Sequence, residues 1–191
     1  MVQKKLILGF DGSPHKEGLC AGLLNKALNI CKDNGADTEY VKLIDLQLPV
    51  FHGKYTDDEP KGHKDLWSKI RNSDGLIFAT PVHWFNVSAS MKNFIDWLTT
   101  LEVGNFYLEG KPVAILTTCE EDGGQKAIND ITAPLMHHGA IFYPYSSLFF
   151  NINMNKNSEN NWMNTDLELL AKNMVKATEL LKHSPKGGWG Y

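Results

Sequence analysis

Three short apolar runs constrain the fold of this chain more than any other feature. They are Leu6-Ile7-Leu8-Gly9-Phe10, Leu76-Ile77-Phe78-Ala79 and Val113-Ala114-Ile115-Leu116, and each is bounded by glycine, proline or aspartate. Continuous apolar runs of that length read as strands covered on both faces, and such strands belong to parallel sheets sandwiched between helices. Two further candidates differ. Thr38-Glu39-Tyr40-Val41-Lys42-Leu43 mixes polar and apolar residues, and Ala140-Ile141-Phe142-Tyr143-Pro144-Tyr145 contains a proline. Proline cannot donate to a ladder, so the second of these belongs at a sheet edge or a strand end. Three interior strands and two edge strands make a five-stranded parallel sheet.

Helical patterns alternate with these strands. Cys20, Leu23, Leu24, Ala27 and Cys31 fall on one helical face, with Asn34-Gly35 as a stop signal. Met91, Phe94, Ile95 and Leu98 form a second stripe, and Ala127, Ile131, Leu135 and His138 a third, ended by Gly139. Leu167, Leu170, Ala171, Met174, Val175, Thr178 and Leu181 form the last, and a short helix is expected around Leu66, Trp67 and Ile70. The alternation predicts one doubly wound α/β domain over residues 1–191 with right-handed crossovers. With the second and fifth strands at the edges, the order is 2-1-3-4-5. That is the flavodoxin-like arrangement, whose switch point lies between the first and third strands. Gln47 to Gly62 reads as a long loop with an acidic knot at Asp57-Asp58-Glu59, and Asn151 to Asn164, with seven asparagines, as an exposed excursion. The tail from Ser184 to Tyr191 cannot continue a helix.

Composition excludes several function classes. Twenty-two acids against nineteen bases give a net charge of -3, and Arg71 is the only arginine. No basic field exists to condense on nucleic acid or an anionic membrane, and bidentate readout of guanine has no side chain to perform it. No apolar run approaches the ~20 residues of a membrane span. Leu6 to Phe10 is too short for a signal-peptide core. Cys20, Cys31 and Cys119 are too few for a four-cysteine metal or iron–sulfur site within these 191 residues. A soluble, cytoplasmic protein is expected.

Ligands of open α/β sheets bind beyond the carboxyl ends of the strands. After the first strand comes Gly12-Ser13-Pro14-His15-Lys16-Glu17-Gly18-Leu19-Cys20, which enters a helix. Free N–H groups there suit a phosphate, with Ser13 as a hydroxyl donor, His15 and Lys16 as charge, and Gly12 and Gly18 allowing close approach. An ordinary strand–helix turn would use the same residue types. The run is neither a P-loop nor a G-x-G-x-x-G fingerprint. After the third strand comes Thr80-Pro81-Val82-His83-Trp84-Phe85-Asn86. Either a flat aromatic ligand stacks there or Trp84 and Phe85 pack under their loop. After the fourth comes Thr117-Thr118-Cys119-Glu120-Glu121-Asp122-Gly123-Gly124. Its acids either meet a ligand or complement a helix start with Asp122 as cap, and its glycines leave room for a ligand or a lid. Cys119 has no assignable partner as a nucleophile.

Together these loops describe an FMN site, and here the sequence resembles the NAD(P)H-dependent FMN and quinone reductases of the flavodoxin-like superfamily. Gly12-Ser13-Pro14, Gly18 and Leu23-Leu24 are similar to the family's phosphate loop and first helix. Ser73 to Trp84, followed by Ser88-Ala89-Ser90-Met91-Lys92-Asn93-Phe94-Ile95-Asp96-Trp97, resembles its second block. Gly110-Lys111-Pro112-Val113-Ala114 and Gly123-Gly124 resemble its third. Cys20 stands where the family often carries threonine or asparagine, which removes a side-chain donor from the phosphate site. His83 stands where tyrosine is common. The resemblance implies noncovalent FMN, with Ser13, His15, Lys16, Gly18, Leu19 and Cys20 around the phosphate. Pro81, Val82, His83, Trp84, Phe85 and Asn86 would border the isoalloxazine, and Thr117, Thr118, Glu120, Gly123 and Gly124 its pyrimidine or ribityl side. It further implies hydride transfer from NAD(P)H to flavin N5, then ping-pong delivery to a quinone, free flavin or nitro compound, with no catalytic side chain and no metal. A homodimer or larger homo-oligomer is implied as well; Trp97 and Leu101 either widen the apolar stripe of the third helix for it or pack within one chain. A flavodoxin-like electron carrier and a non-catalytic FMN-binding or sensing module are the alternative readings.

Overall fold

The structure, a computed structural model, describes residues 4–56, 58–103, 105–155 and 162–181. The tail from Ser184 and the middle of the asparagine-rich stretch lie outside the described residues, as does Asp57. The elements are β1 (Leu6–Asp11), α1 (Leu19–Asp33), β2 (Asp37–Lys42), α2 (Lys64–Asn72), β3 (Gly75–His83), β4 (Asn86–Val87) and α3 (Ala89–Leu98). Then follow β5 (Pro112–Cys119), α4 (Gly124–His137), β6 (Ile141–Asn151), α5 (Ile152–Asn155) and α6 (Trp162–Leu180). Five strands pair in parallel in the order β2-β1-β3-β5-β6, which is 2-1-3-4-5 counted along the chain. The two-residue β4 is an addition, folding back antiparallel on the end of β3.

The apolar runs are buried on both faces, and the two faces are built differently. Leu8, Phe10, Leu76, Phe78, Val113 and Ile115 face α2, α3 and α4, where the rings of Phe10, Phe78 and Phe94 lie 4.7–6.2 Å apart. Trp67 is fully buried in this layer, with its indole N–H on Thr100 Oγ1 at 2.8 Å. Ile7, Ile77, Ala79, Ala114 and Leu116 face α1 and α6. Small residues let these helices approach closely. A Cβ on Gly9 would sit 2.8 Å from Leu28 Cδ1, and one on Gly75 2.8 Å from Met174 Sδ.

Three expectations change. The strand at the far edge does not end near Tyr145 but runs on to Asn151. Pro144 lies in an interruption where register jumps from Val113↔Phe142 to Ile115↔Ser147. A bulge absorbs a proline that a ladder cannot, so the strand resumes beyond it. The asparagine-rich stretch is consequently not one excursion, since Asn151 closes β6 and Trp162 opens α6. Trp97 and Leu101 are buried within the chain, so they offer no surface stripe to a second copy. Trp97 donates its indole N–H to Pro49 O at 2.7 Å, and Asn93 Oδ1 accepts from Phe51 N at 2.9 Å. These bonds strap the long loop onto α3.

Candidate cofactor site at the carboxyl edge of the sheet

The loop after β1 is fixed from below. Asp11, the last residue of β1, is fully buried. Its Oδ1 accepts Ser13 N–H at 2.8 Å and the Cys20 thiol at 3.3 Å; Oδ2 accepts the Tyr40 hydroxyl at 2.5 Å and Lys42 Nζ at 2.6 Å. A carboxylate has about four lone-pair sites, so this one is saturated. Lys42 is the register partner of Asp11 across the β1–β2 pairing, and its ammonium also donates to His15 O. Ser13 Oγ accepts His15 N–H at 3.2 Å. Gly12 O accepts from both Ser88 Oγ, at 2.6 Å, and Ser90 Oγ, at 2.8 Å, which ties this loop to the start of α3.

Above this base the loop is open. The first helical bond of α1 runs from Gly22 N to Gly18 O, and the N-cap Gly18 supplies no side-chain acceptor. The N–H groups of Leu19, Cys20 and Ala21 therefore have no carbonyl within the helix. A Cβ on Gly18 would find nothing nearer than His15 Cβ at 3.9 Å, so the space before these donors is clear. His15, Lys16 and Leu19 are exposed around it. Cys20 is buried with its thiol on Asp11, so only its main-chain N–H faces the cradle. Burial, then the Asp11 charge, push that thiol's pKa well up and keep it protonated.

The second loop is a hairpin. Pro81 and Val82 are half-buried, and Val82 pairs with Val87 and His83 with Asn86. Trp84 and Phe85 occupy the two turn positions at φ 53° and 62°. Turns of this kind favour Asn-Gly, because side chains crowd the backbone in the left-handed region at ~1–2 kcal/mol per residue. Trp84 is 97% exposed and Phe85 58%, so Trp84 does not pack under its loop. Behind the hairpin, buried Thr80 accepts Ser88 N–H at 3.1 Å, and Ser88 caps α3 by accepting Met91 N–H at 3.2 Å.

The third loop joins the hairpin. Thr117 is fully buried and donates to Gly124 O at 3.2 Å, so it braces the loop from inside; Thr118 is buried next to it. Glu120, Glu121 and Asp122 are exposed. Asp122 accepts Gly123 N–H at 2.6 Å, and the N-cap of α4 is Gly123 itself, so Asp122 is not the cap. The glycines do not leave a gap either. A Cβ on Gly123 would lie 3.0 Å from Val82 Cγ1 and 3.1 Å from Phe85 Cα, and one on Gly124 2.8 Å from Phe149 Cβ. They make room for the aromatic hairpin and for β6. Cys119 is buried, and burial raises its thiol pKa.

An uncapped helix start, a clear approach past Gly18 and flanking His15 and Lys16 fit the phosphate of FMN. The exposed aromatic hairpin beside them fits its ring. The sequence profile of the NADPH-dependent FMN reductases matches residues 6–153, which span β1 to α5 and all three loops. The chain belongs to this family. That family is one of flavin-dependent oxidoreductases, described by their use of FMN and NADPH. An iron-sulfur flavoprotein of Methanosarcina thermophila is 28% identical over 184 residues, covering 92% of this chain and 96% of its own length. Another, of Methanocaldococcus jannaschii, is 31% identical over 63% of this chain and 65% of its own. An NADPH:quinone oxidoreductase of Arabidopsis thaliana is 29% identical over 63% of this chain and 61% of its own. The chain thus spans under two thirds of the last two relatives. Among solved structures, RosB with bound 8-demethyl-8-formylriboflavin-5'-phosphate superposes with a TM-score of 0.79 at 18% identity, covering 95% of this chain and 81% of that one. An apo NADH:FMN oxidoreductase superposes at 0.68 and 20%, covering 96% and 93%. At such identities the likeness is one of fold.

Sequence reasoning missed Asp11, Tyr40 and Lys42. The available signal was an aspartate ending a doubly buried strand and a lysine ending the neighbouring strand. Among the described residues no three Cys, His, Asp or Glu side chains are grouped to hold a metal, and no helix is long and apolar enough to cross a membrane.

Proposed function

We propose that the chain holds FMN across the three loops, oxidises NAD(P)H with it, and passes the electrons to a quinone, free flavin or nitro compound. The observation that carries this reading is the uncapped start of α1, open past Gly18 and adjacent to the exposed Trp84-Phe85 turn. The main-chain N–H groups of Leu19, Cys20 and Ala21 would receive the phosphate, with His15 and Lys16 adding charge. Pro81 to Asn86 would border the ring, and Thr118, Glu120 and the main chain at Gly123-Gly124 its far side. Thr117 would act by bracing that loop. When bound, FMN would supply the redox chemistry, a two-electron exchange with NAD(P)H and with the acceptor. The chain's part is to position, to shield one ring face and to leave the other open to both substrates in turn, as ping-pong exchange requires.

Arg71 is engaged elsewhere, paired with Glu59 and lying over the Tyr107 ring at 5.3 Å. A nicotinamide 2′-phosphate would therefore meet lysine or histidine, which supports NADH as strongly as NADPH. The reading includes a homodimer or larger homo-oligomer, supported by the apolar hairpin tip. The test is anaerobic stopped-flow mixing of the FMN-loaded protein with NADH and with NADPH. Bleaching of the flavin band is expected with at least one, and none with either refutes the reductase reading. Sedimentation at working concentration tests the assembly, and a monomer removes it.

A further inference from the structure

We propose that Lys42 is a positioning residue of the phosphate loop, anchored by Asp11, and that this pair sets the site's preference for phosphorylated over unphosphorylated flavin. The proposal rests on the FMN reading above and goes beyond it, since neither residue is among those placed around the phosphate.

The argument begins with Asp11. A carboxylate taken wholly out of water is costly unless it is paired and hydrogen-bonded. Four donors surround this one, and Lys42 alone among them brings a positive charge. The pair is built into the sheet, because Asp11 and Lys42 are partners in the β1–β2 register.

Lys42 does a second thing. Its ammonium holds the carbonyl of His15. A trans peptide sets its C=O and the following N–H in opposite directions, and no peptide here is cis. Holding His15 O toward Lys42 therefore turns Lys16 N–H the other way, off the sheet edge. It also keeps a carbonyl oxygen from turning toward an incoming anion. Ser13 N–H and His15 N–H are already taken, by Asp11 Oδ1 and Ser13 Oγ, so Lys16 N–H is the donor that this arrangement turns outward.

The charges then decide the consequence. Asp11 and Lys42 cancel, leaving the phosphate to see His15, Lys16 and the helix dipole. Without Lys42, an uncompensated anion sits directly beneath the phosphate loop. Without the Asp11 charge, an uncompensated cation does. A phosphate dianion feels both changes strongly and with opposite sign, whereas riboflavin carries no charge to feel either.

The experiment is titration of flavin-free protein with FMN and with riboflavin, for the wild type, Lys42→Met, Lys42→Arg and Asp11→Asn. The readout is the ratio of the two dissociation constants. Lys42→Met should weaken FMN by about tenfold or more while riboflavin stays within about twofold. Lys42→Arg, which keeps the charge, should recover most of that loss. Asp11→Asn should move the ratio the other way, favouring FMN further. Mere structural damage would move both variants in one direction and weaken both flavins alike, and that result overturns the proposal. An unchanged ratio in Lys42→Met also overturns it. Should Lys42→Met fail to fold, Asp11→Asn carries the test alone, because an unchanged or lowered FMN preference there refutes the charge argument. Wild-type protein that binds neither flavin overturns the FMN reading and this proposal with it. Wild-type protein that prefers FMN while the variants leave the ratio unmoved overturns this proposal only.

Discussion

Gly123→Ala tests whether the third loop is closed over by the hairpin, and Gly35→Ala is its matched control. Both glycines lie at positive φ, 90° and 98°. Alanine in that region costs ~1–2 kcal/mol at either position. At Gly35 nothing lies within 4 Å of the added Cβ, so the backbone cost is the whole cost. At Gly123 the Cβ would meet Val82 Cγ1 at 3.0 Å and Phe85 Cα at 3.1 Å. A side-chain methyl can rotate away, but a Cα moves only with the hairpin, and overpacking of this kind adds ~1–3 kcal/mol. Gly35→Ala should therefore lose about 1–2 kcal/mol of unfolding free energy and Gly123→Ala about 2–5. Urea unfolding of the flavin-free protein by far-ultraviolet circular dichroism, with equal slopes for both variants, reads the difference. Losses equal within about 0.5 kcal/mol would refute the claim that the Phe85 backbone rests on Gly123.

Gly18→Ala should cost no more than about 1 kcal/mol, the preference of an N-cap for glycine over alanine, because its φ of -179° suits any residue and the Cβ meets nothing nearer than 3.9 Å. FMN titration should nevertheless show several-fold weaker binding, since that space is the phosphate's approach; unchanged affinity would move the phosphate elsewhere. His138 is buried and desolvation lowers its pKa below 6.5, so the unfolded chain binds a proton that the folded chain does not. Its contribution to stability is full above pH 6.5 and falls as pH drops below that value, by up to about 1.4 kcal/mol per pH unit until the folded pKa is reached. Urea midpoints at pH 7.5 and 5.5 should differ less in His138→Gln than in the wild type, and an equal difference would refute the assignment. All three cysteines are buried, with thiol pKa values raised by burial, to about 12 at Cys31. A thiol-specific disulfide reagent at pH 8 should react with three thiols in urea and with fewer than one in the folded protein within an hour.

The sheet was legible because its interior strands are apolar without interruption and its edge strands are not. Strand order then followed from which runs could tolerate water, and the location of the three loops followed from strand order. Contacts across long stretches of sequence were not legible. That Lys42 would meet Asp11 depends on the exact register of β1 on β2, which apolar patterning leaves free. The reach of β6 was hidden because four residues from Tyr143 to Ser146 oppose Ala114 alone, breaking the period-two pattern at its midpoint. Gly123 and Gly124 read as open space because a sequence shows the missing side chain but not the neighbour that fills its place. Trp97 fitted a surface stripe as well as a core because the stretch of loop that covers it lies more than forty residues earlier.

The Trp84-Phe85 turn carries a last consequence. Replacing the pair with Asn-Gly would relieve two unfavourable backbone conformations and remove exposed apolar surface, so the isolated chain would be expected to gain stability and solubility. Selection for a durable, free-standing chain would discard these two residues at the first opportunity. What they are worth must then be counted in a state other than the free chain, and the stability forgone at this turn is a lower bound on that worth.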